Sequence, residues 1–231
     1  MIDVKLARTS EETDAIKPLG SDKTILSQLD TFPKLLKSHS LLRSSRVAMR
    51  EKDFGIWQSW TWNEVAEEVA ALANGLASLG LVRGDSVAII GDNRPRLYWT
   101  MAGAQSLGAI PVPMYQDSVA DEIKFVLEHA SVRFAVVEDQ EQVDKLLSIL
   151  DDCPLLETII YDQPRGMRNY TQEYLHDMND ILELGKNFGI DSILISNGIH
   201  KALFENNLEI GLKNIENTKK WNFKPTYLCE N

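Results

Sequence analysis

Apolar positions Val65, Val69, Leu72, Leu76 and Leu79 recur at helical spacing, and acidic residues gather in the first turns, where the helix dipole favours them. The pattern predicts a helix from Trp62 to Leu79, ended by Gly80. Ser86 to Ile90 is a continuous apolar run, suited to a strand buried on both faces of a parallel sheet. Gly91-Asp92-Asn93 then turns the chain, and Pro95 opens a helix to about Leu107, since a proline at the first helical position gives up no needed N–H. Further on come a short strand Ala109 to Pro113, a helix Val119 to Glu128 capped by Asp117-Ser118, and a strand Arg133 to Val137. A helix Glu141 to Leu150 and a strand Glu157 to Tyr161 complete the series. Strand and helix alternating in this way predict an α/β fold, a doubly wound parallel sheet.

Upstream, Thr31 and Pro33 mark the start of a helix running to about Ser40. Arg46 to Glu51 and Ile56 to Trp62 are β-rich runs separated by Lys52-Asp-Phe-Gly55 and read as a hairpin. The tryptophans at 57, 60 and 62 are read as core or edge-strand packing in preference to a ligand-stacking platform.

Composition changes the picture in one respect. Eight asparagines fall between Asn187 and Asn231, against five before the break near Gly185, and every arginine, from Arg8 to Arg168, precedes that break. The expected organisation is a weakly ordered lead-in over residues 1–31, a main unit over 32–184 and a tail of different character over 185–231. At 231 residues and 44% hydrophobic the chain has enough apolar surface for a sizeable core. A net charge of −10, with no cluster of lysines and arginines interleaved with aromatics, argues against nucleic acid as a partner. No run of roughly 18 apolar residues exists and the first ten residues lack an apolar segment, so neither a transmembrane segment nor a secretory leader is expected, and the cytoplasm is the default location. Cys153 and Cys229 form no metal or redox spacing and are read as reduced structural thiols.

Residues 32–184 resemble the N-terminal portion of the AMP-forming acyl-CoA synthetases of the adenylate-forming superfamily. The runs that carry the likeness are Trp60-Thr-Trp-Asn-Glu-Val, Gly80-Leu-Val-Arg-Gly-Asp-Ser-Val-Ala-Ile, Gly91-Asp-Asn-Arg-Pro and Gly108-Ala-Ile-Pro-Val-Pro, in that order. Tyr115-Gln-Asp-Ser-Val-Ala-Asp-Glu-Ile and Tyr161-Asp-Gln-Pro-Arg-Gly-Met are similar to the bacterial long-chain fatty-acid branch in particular. The resemblance implies ATP, magnesium and CoA as the family's cofactors, and a fatty acid as substrate only if the missing ligase parts are supplied.

That family needs a Ser/Thr/Gly-rich loop ending in Pro-Lys-Gly, because backbone N–H groups and hydroxyls must hold the ATP phosphates while a carboxylate attacks. These 231 residues contain no such loop, and the spacings from Gly80 to Gly84 and from Gly84 to Gly91 fit neither of the common phosphate-loop patterns. The expectation is therefore a truncated or chimeric ligase, catalytically incomplete, with no catalytic, cofactor-binding or metal residue of its own to name. A half of a split ligase and a non-catalytic interaction module are the alternatives. The tail, through Asn187-Phe-Gly-Ile-Asp-Ser-Ile-Leu-Ile-Ser-Asn-Gly198 and Lys224-Pro-Thr-Tyr227, resembles the C-terminal end of a haloacid-dehalogenase-type hydrolase, again without that family's nucleophilic aspartates. His39, His129, His176 and His200 lie far apart and are read as surface or capping residues. Glu138-Asp-Gln-Glu141 and Asp151-Asp152 are read as helix-end charges rather than a magnesium site.

Overall fold

The computed structural model describes residues 30–187, which form a three-layer α/β/α unit around a five-stranded parallel sheet. The lead-in up to residue 29 and the tail beyond 187 lie outside the described residues, as do the expected strand Ser192 to Ser196, Cys229 and His200.

Helix α1 (Phe32–Leu42) is capped by Thr31, whose hydroxyl accepts from the Lys34 N–H, with proline in its first turn as expected. Strands β1 (Val47–Asp53) and β2 (Ile56–Thr61) form an antiparallel hairpin paired as Asp53 with Ile56 and Lys52 with Trp57. The turn is tighter than the sequence suggested, just Phe54 and Gly55, at φ 44° and 83°. Two successive left-handed residues match the twist of the flanking strands, and the cost falls on Phe54, a non-glycine residue in that region.

Helix α2 (Trp62–Ser78) begins in a reciprocal cap: the Thr61 hydroxyl accepts from the Glu64 N–H, and the Glu64 carboxylate accepts from the Thr61 N–H at 2.7 Å. The sheet follows with β3 (Ser86–Ile90), α3 (Pro95–Ser106), β4 (Ile110–Met114), α4 (Ala120–His129), β5 (Val132–Val137), α5 (Gln140–Ser148) and β6 (Thr158–Tyr161). The α4 cap differs from expectation. The helix starts after Val119 with no side-chain cap, because Asp117 and Ser118 sit two and one residues too early, respectively, to reach its free N–H groups.

Two elements were not foreseen, the strand β7 (Leu175–Asp177) and the helix α6 (Met178–Asn187). A three-residue strand is too short to show alternation, and β7 is a strand only because β6 offers it a parallel edge, pairing Ile159 with Leu175 and Tyr161 with Asp177. Helix α6 runs on past Gly185, so the compositional break falls inside a continuous helix.

Strand order is β4-β3-β5-β6-β7. All five residues of β3 are buried, which explains its unbroken apolar run. Edge strand β4 tolerates Pro111 and Pro113 because, among the described residues, only one side of it is paired. Val87, Ile89, Phe134, Val136 and Ile160 pack toward α1, α2, α3 and α6, while Ala88, Ile90, Ala135, Val137 and Ile159 pack toward α4 and α5. Fully buried Leu72 and Leu76 of α2 contribute about 2 kcal/mol each to that core.

Candidate functional site

From β3 the chain steps out to β4 and then returns past β3 to β5, so connections leave the carboxyl ends of β3 and β5 in opposite directions. That reversal opens a crevice where doubly wound sheets bind their ligands. A cleft of about 1110 Å³ lies there. Its floor is made by the residues that follow β3, β5 and β6, and one wall by the hairpin, through Glu51, Gln58 and Trp60.

The floor is a network of paired charges centred on two arginines. Arg94 donates from Nε to Glu138 at 2.6 Å and from Nη1 to Glu51 at 2.8 Å, tying α3, the end of β5 and the hairpin together. Glu138 accepts in addition from the Asp92 N–H at 2.6 Å, and its own N–H donates to the Ile90 carbonyl. Glycine at 91 makes this possible: a Cβ there would stand 2.7 Å from both the Glu138 Cβ and Leu97 Cδ1, closer than side chains approach. Arg96 donates to Asp162 at 2.8 Å and to the Asn179 side chain at 2.9 Å, joining the end of β6 to the start of α6. Burial pushes the Asp162 carboxyl above the ordinary carboxylate range, and the attraction of Arg96 offsets only part of that.

Aromatic packing sets the hairpin's angle. Trp60 meets Trp99 of α3 edge to face with centroids 5.6 Å apart. Trp62 packs on His39, and Trp57 stands largely exposed on the hairpin, so two of the three tryptophans serve packing between elements. A smaller trough of about 410 Å³ continues from the cleft past Trp99 toward Leu182 and Lys186.

Among the described residues, no three His, Cys, Asp or Glu side chains converge as a metal site would require. Asp139 and Glu141 are helix-end charges as expected, Asp139 accepting from the Gln142 N–H at the start of α5. Glu138 does more, being a buried partner of Arg94. Asp152 pairs with Lys124 on the surface, Cys153 is buried and free, and His129 stacks on exposed Phe125. The sequence reading named no site residue, and the groups now seen together, Glu51, Arg94, Arg96, Glu138 and Asp162, are far apart in the chain. One signal was present: a charged residue directly or closely follows each of the three central apolar strands, at Asp92, Glu138 and Asp162. Among the described residues no helix is long and apolar enough to cross a membrane.

The comparisons with known proteins agree with this architecture. Human long-chain-fatty-acid–CoA ligase ACSBG2 is 29% identical over 158 residues, covering 68% of this chain and 23% of that protein. The chain thus spans about a quarter of such relatives. Uncharacterized protein Rv1549 of Mycobacterium tuberculosis (strain ATCC 25618 / H37Rv) is 35% identical over 126 residues, 54% of this chain and 70% of that much shorter protein. Among solved structures, the anthranilate CoA ligase AuaEII in complex with anthranoyl-AMP superposes with a TM-score of 0.58 at 23% identity, over 65% of this chain and 27% of that one. The N-terminal domain of FACL13 from Mycobacterium tuberculosis gives a TM-score of 0.54 at 18% identity, over 65% of this chain and 35% of that one. At those identities the structures testify to the fold alone. The AMP-binding enzyme family matches residues 40–184, from within α1 to within α6 and across the whole sheet and its cleft, and the chain belongs to that family.

Proposed function

We propose that this chain supplies the N-terminal portion of an AMP-forming acyl-CoA ligase of the long-chain fatty-acid branch. The completed enzyme would use ATP and magnesium to convert a fatty acid to its acyl-adenylate and then pass the acyl group to CoA. The observation that carries the reading is a pairing: the family match spans the whole described sheet, while the 231 residues contain no Ser/Thr/Gly-rich loop ending in Pro-Lys-Gly. The branch is supported by the long-chain-fatty-acid ligases among the relatives.

The cleft fits this reading in its chemistry. Three of its carboxylates, Glu51, Glu138 and Asp162, are paired with arginines, and the 231 residues contain no Pro-Lys-Gly loop to supply an array of donors aimed at a transferring phosphoryl group. Loss of even one such donor typically costs about 10²- to 10³-fold in rate, so a chain without the set is catalytically incomplete. The tail over 185–231 is read as a remnant of a haloacid-dehalogenase-type hydrolase, and this rests on its sequence runs only.

The test is fatty-acid-dependent ATP–pyrophosphate exchange with magnesium by the purified 231-residue chain, alongside hydrolysis of a phosphomonoester. Background rates in both are expected. Clear exchange would overturn the incomplete-ligase reading, and phosphatase activity would overturn the inert tail.

A further inference from the structure

We propose that helix α1 and the turn after it form a docking face for an anionic phospholipid bilayer. Phe32, Leu41 and Leu42 enter the headgroup layer, and Lys37, Arg43 and Arg46 pair with the lipid anions around them.

The sequence sets this stretch apart. From Thr31 to Arg50 there are five lysines and arginines and no acid, in a chain whose net charge is −10. The fold then decides which of its side chains face outward. Pro33, Leu36 and Ser40 are turned into the core, and His39 packs on Trp62. Phe32 is left 72% exposed, Leu41 70% and Leu42 67%, with Val47 following at 45% where β1 begins. A helix packed on one face ordinarily carries polar residues on the other, so large aliphatic side chains in water on that side mark an interaction surface.

The charges beside these side chains are open to a partner. Lys34 is paired with Asp30 at 2.7 Å, but among the described residues no ion pair engages Lys37, Arg43, Arg46 or Arg50. Four carboxylates border the stretch. Asp30 and Glu51 are matched by Lys34 and Arg94. Glu64 and Glu67 lie in the first turns of α2, which meets the turn through the bond from the Asn63 N–H to the Ser44 carbonyl; they accept from Thr61 and Asn63. Four cations without an ion pair against those two carboxylates leave the border net positive. Other exposed apolar side chains have acids closer by: Phe125 has Asp121, Glu122 and Glu128 within about a turn of α4, and Phe54 follows Asp53 directly.

An anionic bilayer answers both features at once, since its acyl boundary takes the aliphatic side chains and its surface potential attracts the cations. A nucleic acid would use the cations and leave the leucines in water. None of Phe32, Lys37, Leu41, Leu42, Arg43 and Arg46 lines the cleft, so docking spends no residue of it and holds whether or not the chain is part of a ligase.

The experiment measures co-sedimentation of the full 231-residue chain with vesicles of mixed phosphatidylcholine and phosphatidylserine, and with vesicles of phosphatidylcholine alone. Binding to the mixed vesicles should be about tenfold or more the stronger, and should weaken as salt is raised. Each cation at an anionic surface contributes about fivefold, so Lys37→Gln, Arg43→Gln and Arg46→Gln together should weaken binding by about 100-fold. Leu41→Ser with Leu42→Ser, at exposed positions that leave the core intact, should weaken it by about tenfold or more. As controls, Lys52→Gln, Arg165→Gln and Arg168→Gln together change the net charge equally, and Phe54→Ser trims the hairpin tip; each should stay within about threefold. Urea unfolding checks that every variant is folded, and the leucine pair stands by itself if the α1 charge variant is not. The docking face is overturned by absence of binding, equal binding to both kinds of vesicle, equal losses from the two charge variants, a leucine pair that binds like the parent, or loss through Phe54→Ser instead.

Discussion

Replacing Gly185 by alanine sets helix propensity against tertiary packing. In an isolated helix, Gly→Ala is stabilising by about 1 kcal/mol. Here α6 crosses α2 backbone to backbone. A Cβ on residue 185 would overlap the Ala71 carbonyl oxygen and stand 2.7 Å from its carbonyl carbon and 2.8 Å from the Gly75 nitrogen, where ordinary contact begins at 3.4 Å. Those atoms belong to a helix backbone and cannot rotate aside, so α6 must move out. Displacement loosens buried Ile181 and Leu182 and lengthens the bond from the Asn74 side chain to the Gly185 carbonyl, 3.3 Å at present. Overpacking of this kind costs about 1–3 kcal/mol and a buried hydrogen bond about 1 kcal/mol, so after the propensity gain a net loss of about 2 kcal/mol is expected. Urea unfolding followed by far-ultraviolet circular dichroism measures it, with Lys186→Ala as a control on the same helix. Lys186 is half exposed and ion-paired with Glu68 at 3.2 Å, so its loss should stay within about 0.5 kcal/mol. A Gly185→Ala chain that is more stable than the parent would refute the close crossing and with it the placement of α6 in the core.

Two further perturbations test the cleft. Arg94→Met leaves Glu138 buried without its cation and should cost about 2 kcal/mol in urea unfolding, whereas Glu51→Gln, at the more open end of the network, should cost less than about 1 kcal/mol; equal losses would show that the buried end is not dominant. For Asp162, burial raises the folded-state value, so the folded chain binds that proton more readily than the unfolded chain and this group's contribution to stability falls as pH rises between the two values. Asp162→Asn should therefore gain on the parent in thermal midpoint from acidic to neutral pH, and a variant that loses ground toward neutrality would show that the attraction of Arg96 outweighs burial.

Period and punctuation alone were enough to locate most of the described elements. Val65 to Leu79 could be read as a helix because its apolar residues follow the 3.6-residue repeat, and Ser86 to Ile90 as a buried strand because nothing polar interrupts it. Pro95 and Gly80 marked a start and a stop for reasons internal to the backbone. These are local physics, and alternation of such elements implied the doubly wound sheet without any contact being known. The family likeness was legible for the same reason, since it lives in contiguous runs.

Tertiary structure decided what depends on meeting. β7 is a strand because β6 stands beside it, Gly185 matters because α2 crosses it, and the cleft exists because strand order reverses between β3 and β5. Glu138 looked like a helix-end charge in the chain, and became the buried partner of Arg94 only when folding brought residues 44 apart to 2.6 Å. Spacing along a chain encodes which face a side chain takes; which opposite charge waits across the fold is set by the packing of layers, and no local pattern records it.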